Sequence, residues 1–570
     1  MPPRATTEAA RPDDTLGTLT WIAVALGTAL RGIAYVRRDI LWLDEAAIAR
    51  NLVERSLADL LLVPLDYGQA APKGYLLLHW VVMQVVGTSD LAFRLVPFAS
   101  SIASLLLFQR LARRLLSAAG ALAAVLFFAV GYWFLVYSAE LHPYGLDLAL
   151  SLGALALAID LRRDAFAPQR VWAFAAYGAV VVWFSNAVVL TLGGLGLALG
   201  AIAWREHGLR AALARLWPIA LAWGVSAAGA VWVAMHSFFP RAKEFFAWAW
   251  QYGMVPLPRS PDAVLWLWNA WRTQLSLFHG WNVTDPAWTS LYVALALVGF
   301  LSLIVRRTDD AVLAGSVVAV FVLASMAKQY PYDARFLLVS IAVFILGIGE
   351  SIGVLANASW GRAKVAARAI AVLLCVPPVY RLVAFPPPYQ WTVTGSYLAQ
   401  IRERWQPGDV VYTTYVRALE VLHSAPRFGI SANDVIVGPC PFGEPEAALR
   451  AADRLRGRAR AWVMVGTGYY APNSPEYAYL RTIGVRRDSL PVRLPGTFRF
   501  STPDPFDIPT AYLFDVSHPT RLGRATADSY TLSPILRRAM RSATTWNCYG
   551  VWAPLTRESD LVRRAEPATP

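Results

Sequence analysis

The chain has 570 residues, of which 56% are hydrophobic and only 16% charged, with a formal net charge of +14. A soluble protein of this length carries far more charge, and its repeated apolar runs of about 17–22 residues, separated by short arginine-bearing loops, mean a polytopic membrane protein. The positive charge does not point to nucleic acid, because much of it lies in those loops and no basic, aromatic-interleaved module is visible.

The N-terminal tail, residues 1–15, is polar and contains proline. It lacks the short apolar core and cleavage site of a signal peptide, so the first span is expected to be retained. Spans are predicted near 16–36, 91–109, 117–137, 144–161, 170–186, 187–203, 217–235, 288–305, 311–327, 336–355 and 367–385, eleven in all. Five basic clusters, around Arg110–Arg114, Arg162–Arg170, Arg205–Arg215, Arg306–Arg307 and Arg362–Arg368, then share one side with Arg4 and Arg11. By the positive-inside rule that side is cytoplasmic. This parity requires Lys73–Gly87 not to cross, and at about 15 residues it is short for a span.

Within the first external loop, 37–90, the pair Asp44-Glu45 follows the first span directly. Charge in lipid costs several kcal/mol, so the pair belongs at the membrane boundary. The residues after it read as a helix lying on the membrane. Ala46, Ala49, Leu52, Val53, Ser56, Leu57 and Leu60 fall on one face, with Arg50, Asn51, Glu54, Arg55 and Asp59 on the other. The two acids stand at its N-terminus, where the helix dipole stabilises anions. An acidic N-cap with no further role is the alternative reading.

The same topology puts Glu140–Tyr144, the long loop 236–287, the segment Lys328–Arg335 and everything after about Pro386 on the external face. Two carboxylates with cations and aromatics at one boundary suit group transfer from a lipid-linked phosphate. A carboxylate accepts the proton of the attacking hydroxyl or amine, and cations hold the phosphate as it leaves. The candidate cations are Lys73, Arg94, Lys328 and Arg335, with Arg241, Lys243 and Arg272 in the long loop. Each is also explained as an interfacial anchor. The tryptophans of the long loop suit sugar stacking and membrane anchoring alike. His79 and His142 lie on this face, but no His, Asp or Glu grouping has metal-ligand spacing.

Residues 386–570 are compositionally soluble. Strands are predicted at Asp409–Tyr415, Asp434–Val437, Ala461–Gly466 and Ala511–Val516, with helices at Arg417–His423, Glu444–Leu455 and Glu476–Ile483. That alternation predicts a small α/β domain with a mostly parallel sheet. Cys440 and Cys548 are its two cysteines, and a disulfide and free thiols are both open.

Three stretches, Trp42-Leu43-Asp44-Glu45-Ala46, Gln69–Tyr75 and Phe93-Arg94-Leu95-Val96-Pro97, resemble the first third of the GT-C glycosyltransferases. The likeness is strongest to the protein O-mannosyltransferase and aminoarabinose-transferase branch. Tyr137–Tyr144 is similar to that branch's next recurring stretch, and Tyr330-Pro331-Tyr332-Asp333-Ala334-Arg335-Phe336 to its late external loop. The resemblance covers roughly residues 17–385. It implies a GT-C membrane domain over 16–385 and an inverting transfer of one sugar from a polyprenyl-phosphate carrier to a glycan, lipid or protein acceptor.

By this resemblance Asp44 is the base and Glu45 helps place the acceptor. Arg94 binds the carrier phosphate, with Lys328 and Arg335 assisting. Lys73 is a further candidate for the phosphate, and His79, His142, Tyr144, Tyr330 and Tyr332 are candidates for lining the substrate site. The branch implies no cofactor and no essential metal. His142 stands where many relatives have arginine, and Ala71-Pro72-Lys73 replaces Pro-Pro-Leu, which leaves the donor sugar open. Composition points to a GC-rich bacterial source, hence the inner membrane and an undecaprenyl or decaprenyl carrier. A lipid-sugar flippase and a non-catalytic polyprenyl-binding scaffold are the alternatives; nearly charge-free spans and the absence of a repeat weigh against the first, and the intact Asp44, Glu45 and Arg94 against the second.

Overall fold

A computed structural model describes residues 12–38, 40–237, 242–276, 286–358, 363–384, 386–389, 391–440, 445–466, 474–491 and 510–534. The helices of the first part are α1 (Pro12–Arg37), α2 (Leu43–Glu54), α3 (Leu57–Leu62), α4 (Lys73–Val86), α5 (Asp90–Leu115), α6 (Ala118–Val130), α7 (Tyr132–Val136), α8 (Tyr144–Arg163) and α9 (Pro168–Val181). They continue as α10 (Asn186–His207), α11 (Leu209–Ser237), α12 (Ala242–Ala249), α13 (Pro261–Ser276), α14 (Pro286–Arg306), α15 (Thr308–Met326), α16 (Leu338–Ala356) and α17 (Ala363–Ala384).

Among the described residues nine helices are long and apolar enough to cross a membrane: α1, α5, α8, α10, α11, α14, α15, α16 and α17. The α6–α7 pair, bent by 51° at the extended Gly131, is long and apolar enough to be a tenth when taken as one broken span. The break frees carbonyls that lipid cannot solvate. Arg31, buried in α1, donates to Phe128 O and Ala129 O at 3.3 and 3.2 Å and so satisfies two of them. The remaining predicted span, 170–186, is α9, whose 14 residues make it shorter than the others. It still runs the length of the bundle: Arg162 before it and Arg205 at the end of α10 both pair with Asp309, while Trp183 O just after it accepts the Gly74 N–H of the first loop at 2.8 Å.

The bundle is organised around α16, 89% of whose apolar window is buried. Lipid supplies no hydrophobic drive between helices, so close backbone approach through small residues does the packing. A Cβ on Gly299 of α14 would lie 1.8 Å from Gly347 O of α16, and one on Gly120 of α6 would lie 2.6 Å from Gly349 O. At one end of the bundle Arg114 pairs with Asp160, Arg162 and Arg205 with Asp309, and Arg163 with Asp310. Several of the predicted basic clusters therefore sit together.

The first loop departs from the expected membrane-surface helix. The helix breaks between Glu54 and Ser56 into α2 and α3, and α2 buries Arg50 and Asn51 of its predicted polar face while Val53 is exposed. The cause is tertiary cover. Arg50 is paired with Glu54 and donates to the Tyr67 hydroxyl, Asn51 binds Ala47 O and Asp66 O, and the C-terminal domain packs on the helix.

That domain contains α18 (Thr394–Glu403), β1 (Val410–Thr413), α19 (Tyr415–Ser424), β2 (Val435–Val437), α20 (Pro445–Asp453), β3 (Ala461–Met464), α21 (Pro475–Ile483), β4 (Val485–Ser489) and β5 (Ala511–Asp515). The sheet order is β2-β1-β3-β5-β4. The first three strands are parallel, but β5 and β4 join antiparallel, so the sheet is mixed where a mostly parallel one was expected. The unpredicted β4 reads Val-Arg-Arg-Asp-Ser, the charged composition that protects an exposed edge strand. Tyr415, Ala418 and Leu419 of α19 share a hydrophobic cluster with Ala46, Ala47 and Leu52 of α2. Arg427 and His423 reach Asp90 at the start of α5, at 2.7 and 3.4 Å. Cys440 is disulfide-bonded and Cys375 free; Cys548, the other cysteine of that domain, lies outside the described residues.

Candidate active site

The start of α2 carries both acids, and the fold separates their roles. Glu45 turns inward and is fully buried. Arg94 of α5 grips it with two hydrogen bonds, Nε to Oε1 at 3.2 Å and Nη2 to Oε2 at 3.0 Å, and also donates to Ile40 O. Glu45 further accepts the N–H of Leu141 at 2.8 Å and of Trp42 at 3.3 Å, the second being the return arm of a capping box. Burial alone raises its pKa, but Arg94, then Arg38, and these hydrogen bonds overcome it and hold the carboxyl below its usual range.

A second buried carboxylate lies beside the first. Glu140 accepts from Arg38 at 3.2 Å and from the Trp391 indole at 2.9 Å. Burial, joined by the charge on Glu45 and opposed by Arg38 and Arg335, pushes its pKa up to about 7. The chain Arg94–Glu45–Arg38–Glu140–Trp391 thus ties α2, α5, the loop before α8 and the entry to the C-terminal domain into one polar layer.

Asp44 points the other way. Its side chain is 21% exposed, with Arg335 Nη1 at 3.4 Å and His142 Nε2 at 3.9 Å from Oδ2. Arg335 lies over the Trp250 ring, 4.6 Å from its centroid, and over Phe336 at 5.5 Å. Burial lowers its pKa, but the Tyr144 and Asp44 oxygens outweigh that and keep it charged. Burial pushes His142 down to about 4 against the pull of Asp44, so at neutral pH the imidazole carries no charge. Its ring stacks on Tyr144 at 5.1 Å, and Tyr144 meets Phe336 edge-on. Residues 44, 142, 144 and 335 come from three separate loops or loop edges and converge here.

The other predicted residues take different places. Tyr330 packs edge-on against Phe336, adjoining the site. Tyr332 is buried beneath it, its N–H bonded to Gly253 O at 2.7 Å and its hydroxyl accepting from Trp271 at 3.0 Å. Lys328 is an exposed residue at positive φ whose ammonium reaches Val255 O at 3.5 Å. Lys73, expected on the carrier phosphate, turns instead to Leu60 O at 3.1 Å, and burial with Arg55 nearby lowers its pKa to about 8. His79 is a core residue whose ring nitrogens face Tyr75 O and Phe93 O, holding α4 on α5. Arg272 binds Asn269 and Thr289. Arg241 and the Lys243 side chain lie outside the described residues. Among the described residues no three His, Cys, Asp or Glu side chains are grouped to hold a metal ion.

Sequence reasoning missed Arg38 and Trp391, left Glu140 without a role, and took Trp250 only as one of the long-loop tryptophans. The available signal was weak. Arg38 directly follows a span, where arginine is the ordinary anchor, and the two tryptophans are interfacial residues until their ring partners are known.

No family model matches the chain, and no curated protein matches it. Among solved structures it is similar to ArnT from Cupriavidus metallidurans in the apo state, at 14% identity and a TM-score of 0.49 over 90% of this chain and 100% of that one. The same protein bound to undecaprenyl phosphate gives a TM-score of 0.47. The Archaeoglobus fulgidus oligosaccharyltransferase, crystallised with zinc and sulfate, is similar at 12% identity and a TM-score of 0.47, over 81% of this chain and 69% of that one.

Proposed function

We propose that this multi-pass membrane protein is a glycosyltransferase that moves a single sugar from a polyprenyl-phosphate donor to an acceptor hydroxyl or amine, with inversion, on the extracytoplasmic face of the inner membrane. The observation that carries the reading is the contrast at the start of α2. Glu45 is locked into the core by Arg94, while its neighbour Asp44 stays half-open against the Arg335 guanidinium at 3.4 Å.

A donor phosphate arriving at this rim competes with Asp44 for Arg335, because guanidinium binds phosphate as readily as carboxylate. The exchange leaves Asp44 free to accept the acceptor's proton. The acceptor oxygen or nitrogen then bonds to the anomeric carbon, the bond from that carbon to the phosphate oxygen breaks, and polyprenyl phosphate departs with both electrons. Arg335 stabilises the charge that develops on it. Arg94 acts through Glu45 to fix α2, Lys328, exposed beside Val255, supplies a second cation, and Tyr144 and Tyr330 give faces for the sugar.

The test is transfer from a panel of radiolabelled polyprenyl-phosphate sugars by purified protein, with source membranes as acceptor. Label moving covalently from one donor supports the reading. Passage of donor across a bilayer without covalent change selects a flippase, and donor binding without either selects a scaffold.

A further inference from the structure

The α/β domain sends one carboxylate into the membrane domain. Glu420 of α19 is 6% exposed, and its Oε1 accepts the N–H of Leu43 at 3.0 Å across 377 residues of sequence. Its Oε2 accepts the hydroxyls of Thr392 and Thr394 at 2.6 and 2.5 Å. Arg417, one turn earlier, donates to Thr394 Oγ1 at 2.9 Å and to Thr510 Oγ1 at 2.8 Å, which braces the cluster against the sheet.

Leu43 is the first residue of α2 and the neighbour of Asp44. A helix start leaves four N–H groups without intrahelical partners, and a side-chain oxygen at the N-cap normally takes one. Here the N-cap is Trp42, whose indole can donate but not accept. Two carboxylates from elsewhere make up the lack. Glu45 takes the Trp42 N–H from inside the helix, and Glu420 takes the Leu43 N–H from the other domain. Asp44 therefore sits on a turn whose preceding amides are held from two directions.

We propose that Glu420 is a positioning residue for Asp44: by holding the Leu43 amide it sets where the Asp44 carboxylate stands relative to Arg335 and His142, so the α/β domain completes the active site. The kinetic part of this rests on Asp44 being the base. A domain that only covers the site would contribute packing, which deletion of one amide acceptor leaves intact.

Two variants remove the same hydrogen bond from opposite ends. Glu420→Ala deletes the acceptor. Leu43→Pro deletes the donor from the membrane-domain side, and Leu43→Ala, which keeps the amide, controls for the side chain that packs against the cluster shared with α19. Proline is tolerated at a first helical position, and Trp42 at φ −77°, ψ 174° already has the conformation that precedes a proline. Glu420→Ala and Leu43→Pro are each expected to lower kcat on the order of 10²-fold, the cost of a misplaced catalytic group, with donor KM unchanged. The double variant falls no further than either single one. Glu420→Gln, which keeps an oxygen acceptor, stays near wild type.

Hydrogen exchange gives a readout independent of activity. In Glu420→Ala the amides of residues 42–55 exchange faster while those of the strands stay protected. Wild-type kcat and unaltered exchange at 44–55 in Leu43→Pro overturn the proposal. So does a Glu420→Ala loss that comes with deprotection of the whole sheet while Leu43→Pro is unaffected. If Asp44→Asn retains full transfer while the exchange effect persists, the reading of Asp44 fails and the anchoring of α2 by Glu420 stands.

Discussion

Replacing Arg94 by methionine tests whether this arginine serves the fold or the donor. Arg94 is 1% exposed and makes two hydrogen bonds to a fully buried carboxylate and a third to Ile40 O. Methionine fills much of the same volume but leaves Glu45 with Arg38 at 4.0 Å as its nearest cation. Removing one partner of a buried pair strands the other charge and costs about 3–5 kcal/mol. The loss should appear as reduced stability in equilibrium unfolding in mixed micelles. Adding Glu45→Gln removes the stranded charge while keeping an acceptor for Leu141 N–H, so the double variant should regain roughly half of the loss or more. An Arg94→Met protein that keeps its stability to within about 1 kcal/mol and loses donor affinity alone would refute this, and would put Arg94 on the phosphate.

Arg335→Ala should raise donor KM and lower kcat together. Arg335→Lys should recover little, because an ammonium loses both the planar fork and the stacking on Trp250; steady-state kinetics with the labelled donor checks this. Glu140 binds its proton more tightly in the folded state, between its usual 4.5 and about 7, so it removes stability as pH rises through that window. His142 excludes its proton between about 4 and 6.5, so it removes stability as pH falls through that range. Glu140→Gln and His142→Gln should therefore change the pH dependence of unfolding with opposite signs, and slopes of the same sign would contradict the two environments. Gly299→Ala places a methyl 1.8 Å from Gly347 O, so α14 and α16 must separate. A cost of about 1–3 kcal/mol in the same unfolding assay is expected.

The membrane part was legible in the sequence because lipid imposes long apolar runs and basic loop residues. Each predicted span overlies a helix or the α6–α7 pair, α9 being the shortest of the single helices. What the pattern could not carry was the partner of each charge. Asp44 and Glu45 are adjacent and chemically alike, yet one faces Arg335 and the other Arg94, and only the helix phase set by the cap at Trp42 separates them. His79 reads as an external histidine until the carbonyls of Tyr75 and Phe93 enclose it. Arg50 and Asn51 read as a solvated face until Tyr67 and Asp66 of the same loop fold back onto them. The edge strand β4 was hidden by the charges that suit an edge.

The most direct test of the central claim is a single-turnover comparison of Asp44→Asn with wild type at saturating labelled donor, with donor Kd measured separately. Asparagine keeps the size and an acceptor oxygen but cannot take a proton. If Asp44 is the base, the chemical step should slow by about 10²–10⁴-fold while donor Kd holds or tightens, because Arg335 is released from its carboxylate partner. A chemical step within a few-fold of wild type, or a loss explained wholly by weaker donor binding, would contradict the account.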